Sequence, residues 1–217
     1  MDRSRAAVRE TYERIGAHFS KTREYAWPEV ESFVADAPTC GTALDIGCGN
    51  GRHSALLADV ADRVVGLDAS RALLSAAAER VGDRTALALG DAARLPLADG
   101  TVDLAVYVAT LHHLPSAADR GASLDELARV LSPGGRALVS VWSTAHDRFD
   151  TSEDAETGFD TTVDWTLPGG ETVPRFYHIY APAEFRRALD RSGLATVSFE
   201  ISSGNCYAVV RSEGKGP

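Results

Sequence analysis

The sequence predicts an α/β fold in which one seven-stranded, mostly parallel sheet is wound with helices on both faces and carries an antiparallel C-terminal strand. Three observations predict it. Short apolar runs alternate with helical patterns over most of the chain. A glycine-rich turn, Gly47-Cys48-Gly49-Asn50-Gly51, separates the first run from the pattern that follows it. The last two runs lie close enough in sequence to pair antiparallel.

Each element has a local reason. Val8, Tyr12, Ile15 and Phe19 share one stripe of an N-terminal helix. Pro28, suited to a first helical turn, opens a second helix with Val30, Phe33 and Val34 inward. Residues 42–46 read as a strand, 53–61 as a helix and 63–67 as a second strand. Ser70 caps a helix through residue 81, and 85–89 is a third strand. After the Asp99-Gly100 turn come a strand at 102–106, a helix marked by Leu124, Leu127 and Leu131 that Pro133-Gly134-Gly135 stops, and a strand at 137–142. Residues 143–173 are polar, acidic and aperiodic, longer than most connections, and read as a lid-like insertion. A helix at 182–192 and strands at 196–201 and 206–211 finish the pattern. The whole, 1–217, reads as one domain, with 1–38 as a helical cover over substrate and cofactor.

Composition narrows the function classes. Apolar residues make up 44% and charged residues 24%, as in ordinary globular proteins, and no apolar run reaches the roughly 20 residues of a membrane span. The N-terminus lacks a signal-type apolar stretch, and Cys40, Cys48 and Cys206 lack metal-ligand spacing, so a reduced, cytoplasmic protein without zinc of its own is expected. Net charge is −9, yet residues 1–23 alone carry +3, and all but two of the 22 basic residues are arginine. A polyanionic partner would therefore be held by arginine hydrogen bonds and stacking more than by long-range charge.

The glycine-rich turn sits where open α/β sheets bind ligands. Its pattern is not the dinucleotide Gly-x-Gly-x-x-Gly, since the third glycine is Gly51 and Arg52 follows. Asp45 before Gly47, Gly49 and Gly51 instead resembles motif I of class I methyltransferases, which implies S-adenosylmethionine as cofactor. Two further carboxylates follow at successive strand ends: Asp68, placed to accept from ribose hydroxyls, and Asp91, followed by an Ala92 amide for the adenine ring. Cys48, Ala69 and Val108 complete the expected cofactor set.

Over most of the chain the sequence resembles the tRNA wobble-uridine methyltransferase family of eukaryotes and archaea, which esterifies carboxymethyluridine. The resemblance rests on Tyr12-Glu13-Arg14-Ile15-Gly16-Ala17-His18-Phe19-Ser20 with Thr22-Arg23 and Trp27-Pro28, on 45–52, on Leu111-His112-His113-Leu114, and on Val141-Trp142. It departs at Val163-Asp164-Trp165, where the family has proline before tryptophan. The resemblance implies a Rossmann-like fold, a tRNA substrate and a small zinc-binding activator subunit. The expected docking site for that subunit is the edge strand Thr85-Ala86-Leu87-Ala88-Leu89.

A carboxylate nucleophile needs no general base, because its ordinary pKa is about 4. The site need only orient it, so Arg23 is expected to bind it bidentately with His18 and His113 as hydrogen-bond donors. His113 is preferred to His112 because the end of the fourth strand faces the cofactor. Trp27, Trp142 and Trp165 are candidate platforms for an extruded base, and Arg175, Tyr177 and His178 candidate substrate contacts. Two other readings share the cofactor residues: a methyltransferase of a small-molecule carboxylate or quinone precursor, and a non-catalytic assembly subunit.

Overall fold

The computed structural model describes residues 4–149 and 155–213. Residues 1–3 of the expected N-terminal cover and 150–154 of the expected insertion lie outside the described residues. In chain order the elements are α1 (Arg5–Lys21), α2 (Pro28–Ala35), β1 (Cys40–Ile46), α3 (Arg52–Leu57), β2 (Ala61–Asp68), α4 (Arg71–Ala78), β3 (Thr85–Leu89) and β4 (Val102–Val108). There follow α5 (Ala117–Val130), β5 (Leu131–Trp142), β6 (Phe159–Thr166), β7 (Thr172–Ile179), α6 (Pro182–Asp190), β8 (Leu194–Ser202) and β9 (Asn205–Ser212).

Seven strands form one sheet in the order β3-β2-β1-β4-β5-β9-β8, in which β9 pairs antiparallel with both neighbours and the others pair parallel, as expected. Side-chain alternation builds a core on each face. Leu44 and Ile46 of β1, Tyr107 of β4 and Val139 and Val141 of β5 pack with Leu124 and Leu127 of α5 and Phe185 of α6. Ala43, Leu104, Val106 and Leu138 point the other way, onto Val30, Phe33 and Val34 of α2 and Leu57 of α3. Leu124 and Leu127 are fully buried, and truncating either to alanine would cost about 2–5 kcal/mol. The order in which the chain adds strands reverses between the parallel neighbours β1 and β4, so the loops after these two strands part and leave a crevice at their carboxyl ends.

The structure corrects two boundaries. Leu131 is the first residue of β5, not the last turn of a helix; α5 ends at Val130, and the Pro133-Gly134-Gly135 stretch falls within β5, where the pairing with β4 shifts register between Val102 and Leu104. The segment 143–173 is not aperiodic throughout. Phe159–Thr166 pairs with Thr172–Ile179 as a two-stranded antiparallel sheet separate from the main one. Phe159, Val163 and Trp165 alternate with Asp160, Thr162 and Asp164, a period-two signal that the acidic, polar composition of the segment obscured; only Val163 of β6 is buried.

Helix α1 roofs the crevice and is anchored on α4. Ser4 caps it by accepting from the Ala7 amide at 3.1 Å. Gly16 is needed for the close approach, since a Cβ there would stand 3.0 Å from Ala72 Cβ. The Glu13 carboxylate accepts from Ser70 Oγ at 2.9 Å and the Ala72 amide at 3.2 Å, an anion at the N-terminus of α4. The Ser70 hydroxyl holds the Glu13 carboxyl below the usual range.

Candidate functional site

A cavity of about 1000 Å³ opens at the carboxyl ends of β1, β2 and β4, under α1 and against the β6–β7 hairpin. That is at the upper end of the range for ligand pockets, roomy enough for a cofactor with part of an acceptor beside it. Six arginines line it (Arg5, Arg9, Arg23, Arg52, Arg148 and Arg175) against two carboxylates, Asp68 and Asp91. On a chain of net charge −9 this is a cationic island.

At the cofactor end, Asp68 closes β2 buried and is oriented by two backbone donors, the Gly49 amide on Oδ2 at 2.9 Å and the Ser70 amide on Oδ1 at 2.8 Å. Burial pushes its pKa up and those amides oppose the rise. Gly47 adopts φ +71°, and a side chain there would collide with Thr110, which follows β4 and reaches back toward the Gly47 carbonyl. Ala109, with φ +53°, is the strained residue that presents Thr110. A Cβ on Gly49 would meet nothing within 4 Å, so the loop leaves open room beside Asp68. Carboxylate, exposed loop backbone and free volume together fit the ribose and adenine of a nucleoside cofactor. Cys48, Ala69, Ala92 and Val108 also line the cavity. Asp91 does too, but in this state its Oδ2 pairs with Arg5 at 2.6 Å and its Oδ1 accepts from the Ala93 amide at 2.9 Å.

Two expected cofactor residues stand behind the lining. Asp45 is fully buried and accepts from Ser54 Oγ at 2.7 Å, tying β1 to α3; burial pushes its pKa up to about 7. Gly51 is the left-handed cap of α3, where a Cβ would stand 2.8 Å from Val81 Cγ1. Neither lines the cavity.

The acceptor end is aromatic and neutral-imidazole in character. His113 has its Nδ1 2.9 Å from the Phe176 carbonyl, which fixes the proton on that nitrogen, and its Nε2 accepts from the Tyr12 hydroxyl at 2.8 Å. His112 shows the opposite tautomer, because its Nδ1 accepts from the Trp142 amide at 2.9 Å and its proton must sit on Nε2. Burial pushes His113 down to about 3 and His112 well below the usual histidine range. The spare donor is thus on His112, the reverse of the expectation that favoured His113. Tyr177 packs against both rings and against Trp142. Trp142 and Trp27 line the cavity, Trp27 edge-on to Tyr207 with the Arg52 guanidinium over its ring.

Three expected substrate or catalytic residues do not line it. His18 Nδ1 accepts from Trp165 Nε1 at 3.1 Å, so this pair bolts α1 to the hairpin instead of facing the cavity. His178 alternates with Tyr177 along β7 and turns to the opposite side. There Asp160 and Glu184 take its two ring nitrogens at 2.8 and 2.9 Å. Arg23 does line the cavity, half-buried, with its guanidinium over Phe19 and one Nη donating to the Thr22 carbonyl at 3.2 Å. Burial lowers its pKa.

Sequence reading missed Asn50. Its Nδ2 donates to the carbonyls of Ser20 and Arg23, at 3.0 and 2.8 Å, and so ties the glycine-rich loop to the end of the roof helix. An asparagine between two glycines was the available signal, but it reads equally well as a turn former, and its burial shows only in the structure.

A methyltransferase domain model matches residues 44–139. The chain is 36% identical over 136 residues to the mouse tRNA (carboxymethyluridine(34)-5-O)-methyltransferase ALKBH8, covering 63% of this chain and 20% of that protein. It is 28% identical to the tRNA (carboxymethyluridine(34)-5-O)-methyltransferase of Schizosaccharomyces pombe, covering 93% of this chain and 94% of that one. The chain spans about a fifth to a third of the length of the animal and plant relatives that it matches. Among solved structures, a complex of the Haloferax volcanii Trm112 methyltransferase activator with a methyltransferase contains a chain of the same fold. The TM-score is 0.71 at 19% identity, covering 97% of this chain and 99% of that one. No helix among the described residues is long and apolar enough to cross a membrane. The chain carries a methyltransferase domain over residues 44–139, has the fold seen in S-adenosylmethionine-dependent methyltransferases, and resembles the tRNA (carboxymethyluridine(34)-5-O)-methyltransferases.

Proposed function

We propose that this protein esterifies the carboxymethyl group of a wobble uridine in tRNA, using S-adenosylmethionine and working with a small zinc-binding activator subunit on the β3 edge. The observation that carries the chemistry is that every histidine lining the cavity accepts a hydrogen bond from the protein. His53 Nε2 accepts from Arg52, His112 Nδ1 from the Trp142 amide, His113 Nε2 from Tyr12 and His146 Nδ1 from the Arg148 amide. A neutral imidazole has one acceptor nitrogen, so no basic ring nitrogen is left over. Such a site cannot readily deprotonate a phenol or an amine, and it suits an acceptor that is already anionic at neutral pH. This favours a carboxylate over a hydroxylated quinone precursor.

Asp68 would hold the ribose hydroxyls of the cofactor, the Gly47–Gly49 backbone its amino-acid portion, and the Ala92 amide with Asp91 its adenine. When bound, S-adenosylmethionine supplies a methyl group on a positively charged sulfur. The chain's own part is then orientation and exclusion of water. Tyr12, held by His113, and Tyr177 wall the acceptor end, Trp142 offers a face for the base, and α1 covers both ligands. The acceptor carboxylate would form the new oxygen–carbon bond as the methyl–sulfur bond breaks and its electron pair returns to sulfur, leaving S-adenosylhomocysteine, and no proton changes hands. The curated relatives support tRNA as the substrate. The activator is supported by the place of β3 at the edge of the sheet and by the Haloferax complex.

The test is transfer of labelled methyl from S-adenosylmethionine to tRNA bearing carboxymethyluridine, with and without a co-expressed zinc-binding subunit, followed by mild alkali. Label that alkali releases supports the ester. Alkali-stable label would keep the RNA substrate and overturn the carboxylate. Absence of label on RNA, with cofactor binding demonstrated, would transfer the reading to a small-molecule acceptor.

A further inference from the structure

We infer that Arg175, not Arg23, is the side chain that receives the carboxylate of the acceptor; the inference rests on the esterification reading above. Arg175 lines the cavity yet is only 7% exposed. No carboxylate of a described residue pairs with it. One Nη donates to the Tyr177 hydroxyl at 2.7 Å, while the Nε–H, also buried, has no acceptor. Its other neighbours are the Tyr12 side chain and two ring faces, Trp165 at 5.0 Å and Tyr177 at 5.2 Å.

A buried guanidinium without counter-charge and with a donor unmet is a costly arrangement. An oxyanion would answer both deficits at once, and a carboxylate matches the guanidinium edge that includes Nε. Arg23 has no comparable deficit, being half-buried and satisfied in part by its own chain neighbours. His112, whose proton sits on Nε2 beside Tyr177, is the second donor at this end. Two sources offer such an oxyanion, the carboxylate on a modified base and a backbone phosphate. The depth of Arg175 favours the first, because a phosphodiester is flanked by two sugars and a carboxymethyl group projects alone.

The experiment measures binding to the protein loaded with S-adenosylhomocysteine. The ligands are 5-carboxymethyluridine, its carboxamide and uridine, each as free nucleoside and within an anticodon stem–loop. The variants are Arg175→Gln, Arg175→Lys and Arg23→Gln, with S-adenosylhomocysteine affinity as the check on folding. Wild type is expected to prefer carboxylate over carboxamide by about 10- to 100-fold. Arg175→Gln should abolish that preference, Arg175→Lys restore part of it, and Arg23→Gln leave it in place. Retention of the preference in Arg175→Gln overturns the inference. So does equal weakening of all three stem–loops, which would make Arg175 a phosphate contact. An Arg175-dependent preference among free nucleosides, with no methylation of the stem–loop, leaves the anchor standing and removes the tRNA reading. Undiminished esterification of tRNA by Arg175→Gln does the reverse.

Discussion

Replacing Asn50 by alanine should detach the roof of the cavity while leaving the sheet beneath it intact. The side chain donates two hydrogen bonds, to Ser20 O at 3.0 Å and Arg23 O at 2.8 Å. At about 0.5–1.5 kcal/mol net each, their loss raises the free energy of the closed roof by about 1–3 kcal/mol, centred near a thirtyfold change in its opening equilibrium. Hydrogen exchange reads this directly, because the amides of Thr22 and Arg23 bond to Phe19 O and Ser20 O in the last turn of α1. Their protection should fall by about that factor, with amides in β1 and β4 unchanged. Asn50→Asp has the same shape but only acceptors to offer two carbonyls, so it should be at least as damaging. If aspartate is tolerated, or if α1 exchanges at its original rate in the alanine variant, the tie between loop and roof has no energetic content and Asn50 is a turn residue.

Three further outcomes follow from the same geometry. Asp68→Asn turns an amide nitrogen toward one of the backbone donors, Gly49 or Ser70, so affinity for S-adenosylhomocysteine should fall more than tenfold by calorimetry. His113 is held neutral with its pKa pushed down to about 3, below the unfolded value of about 6.5. The unfolded chain therefore binds more protons between those limits, and stability falls as pH drops below 6.5, by up to about 1.4 kcal/mol per pH unit from this ring. Urea midpoints from pH 7 to pH 4 should decline less steeply for His113→Gln than for wild type. His178→Ala removes the clamp between Asp160 on β6 and Glu184 on α6 and should lower the urea midpoint, while S-adenosylhomocysteine affinity, measured in parallel, stays at the wild-type value.

The central strands were legible in the sequence because, like β4, they bury both faces and read as apolar runs bounded by turns; β3 at 85–89 coincides with its expected limits although none of its residues is buried. β6 was missed although Phe159, Val163 and Trp165 alternate with polar residues, because the alternation is short and lies within an acidic, otherwise polar stretch. At the site, spacing found the carboxylate and the glycines but could not separate lining from backing. Asp45 and Asp68 look alike at two successive strand ends, yet one holds α3 and the other faces the cavity. His178 was grouped with Arg175 and Tyr177 by proximity in sequence, and a strand's alternation divides them. The histidine pair was beyond sequence altogether, because the tautomers are set by the Trp142 amide and the Phe176 carbonyl, 30 and 63 residues away.

The order of strands in the main sheet bears on how the molecule is made. β1 to β4, which frame the cofactor crevice, are contiguous in the chain and pair among themselves, so that half can assemble as soon as residue 108 is available. β9, translated after β8, inserts between β8 and β5, so β5 keeps one edge unpaired until the last strand arrives. A ribosome-bound nascent chain thus gains a nucleoside-sized crevice early and hides its stickiest edge late. Co-translational loading with cofactor would stabilise the half that must wait.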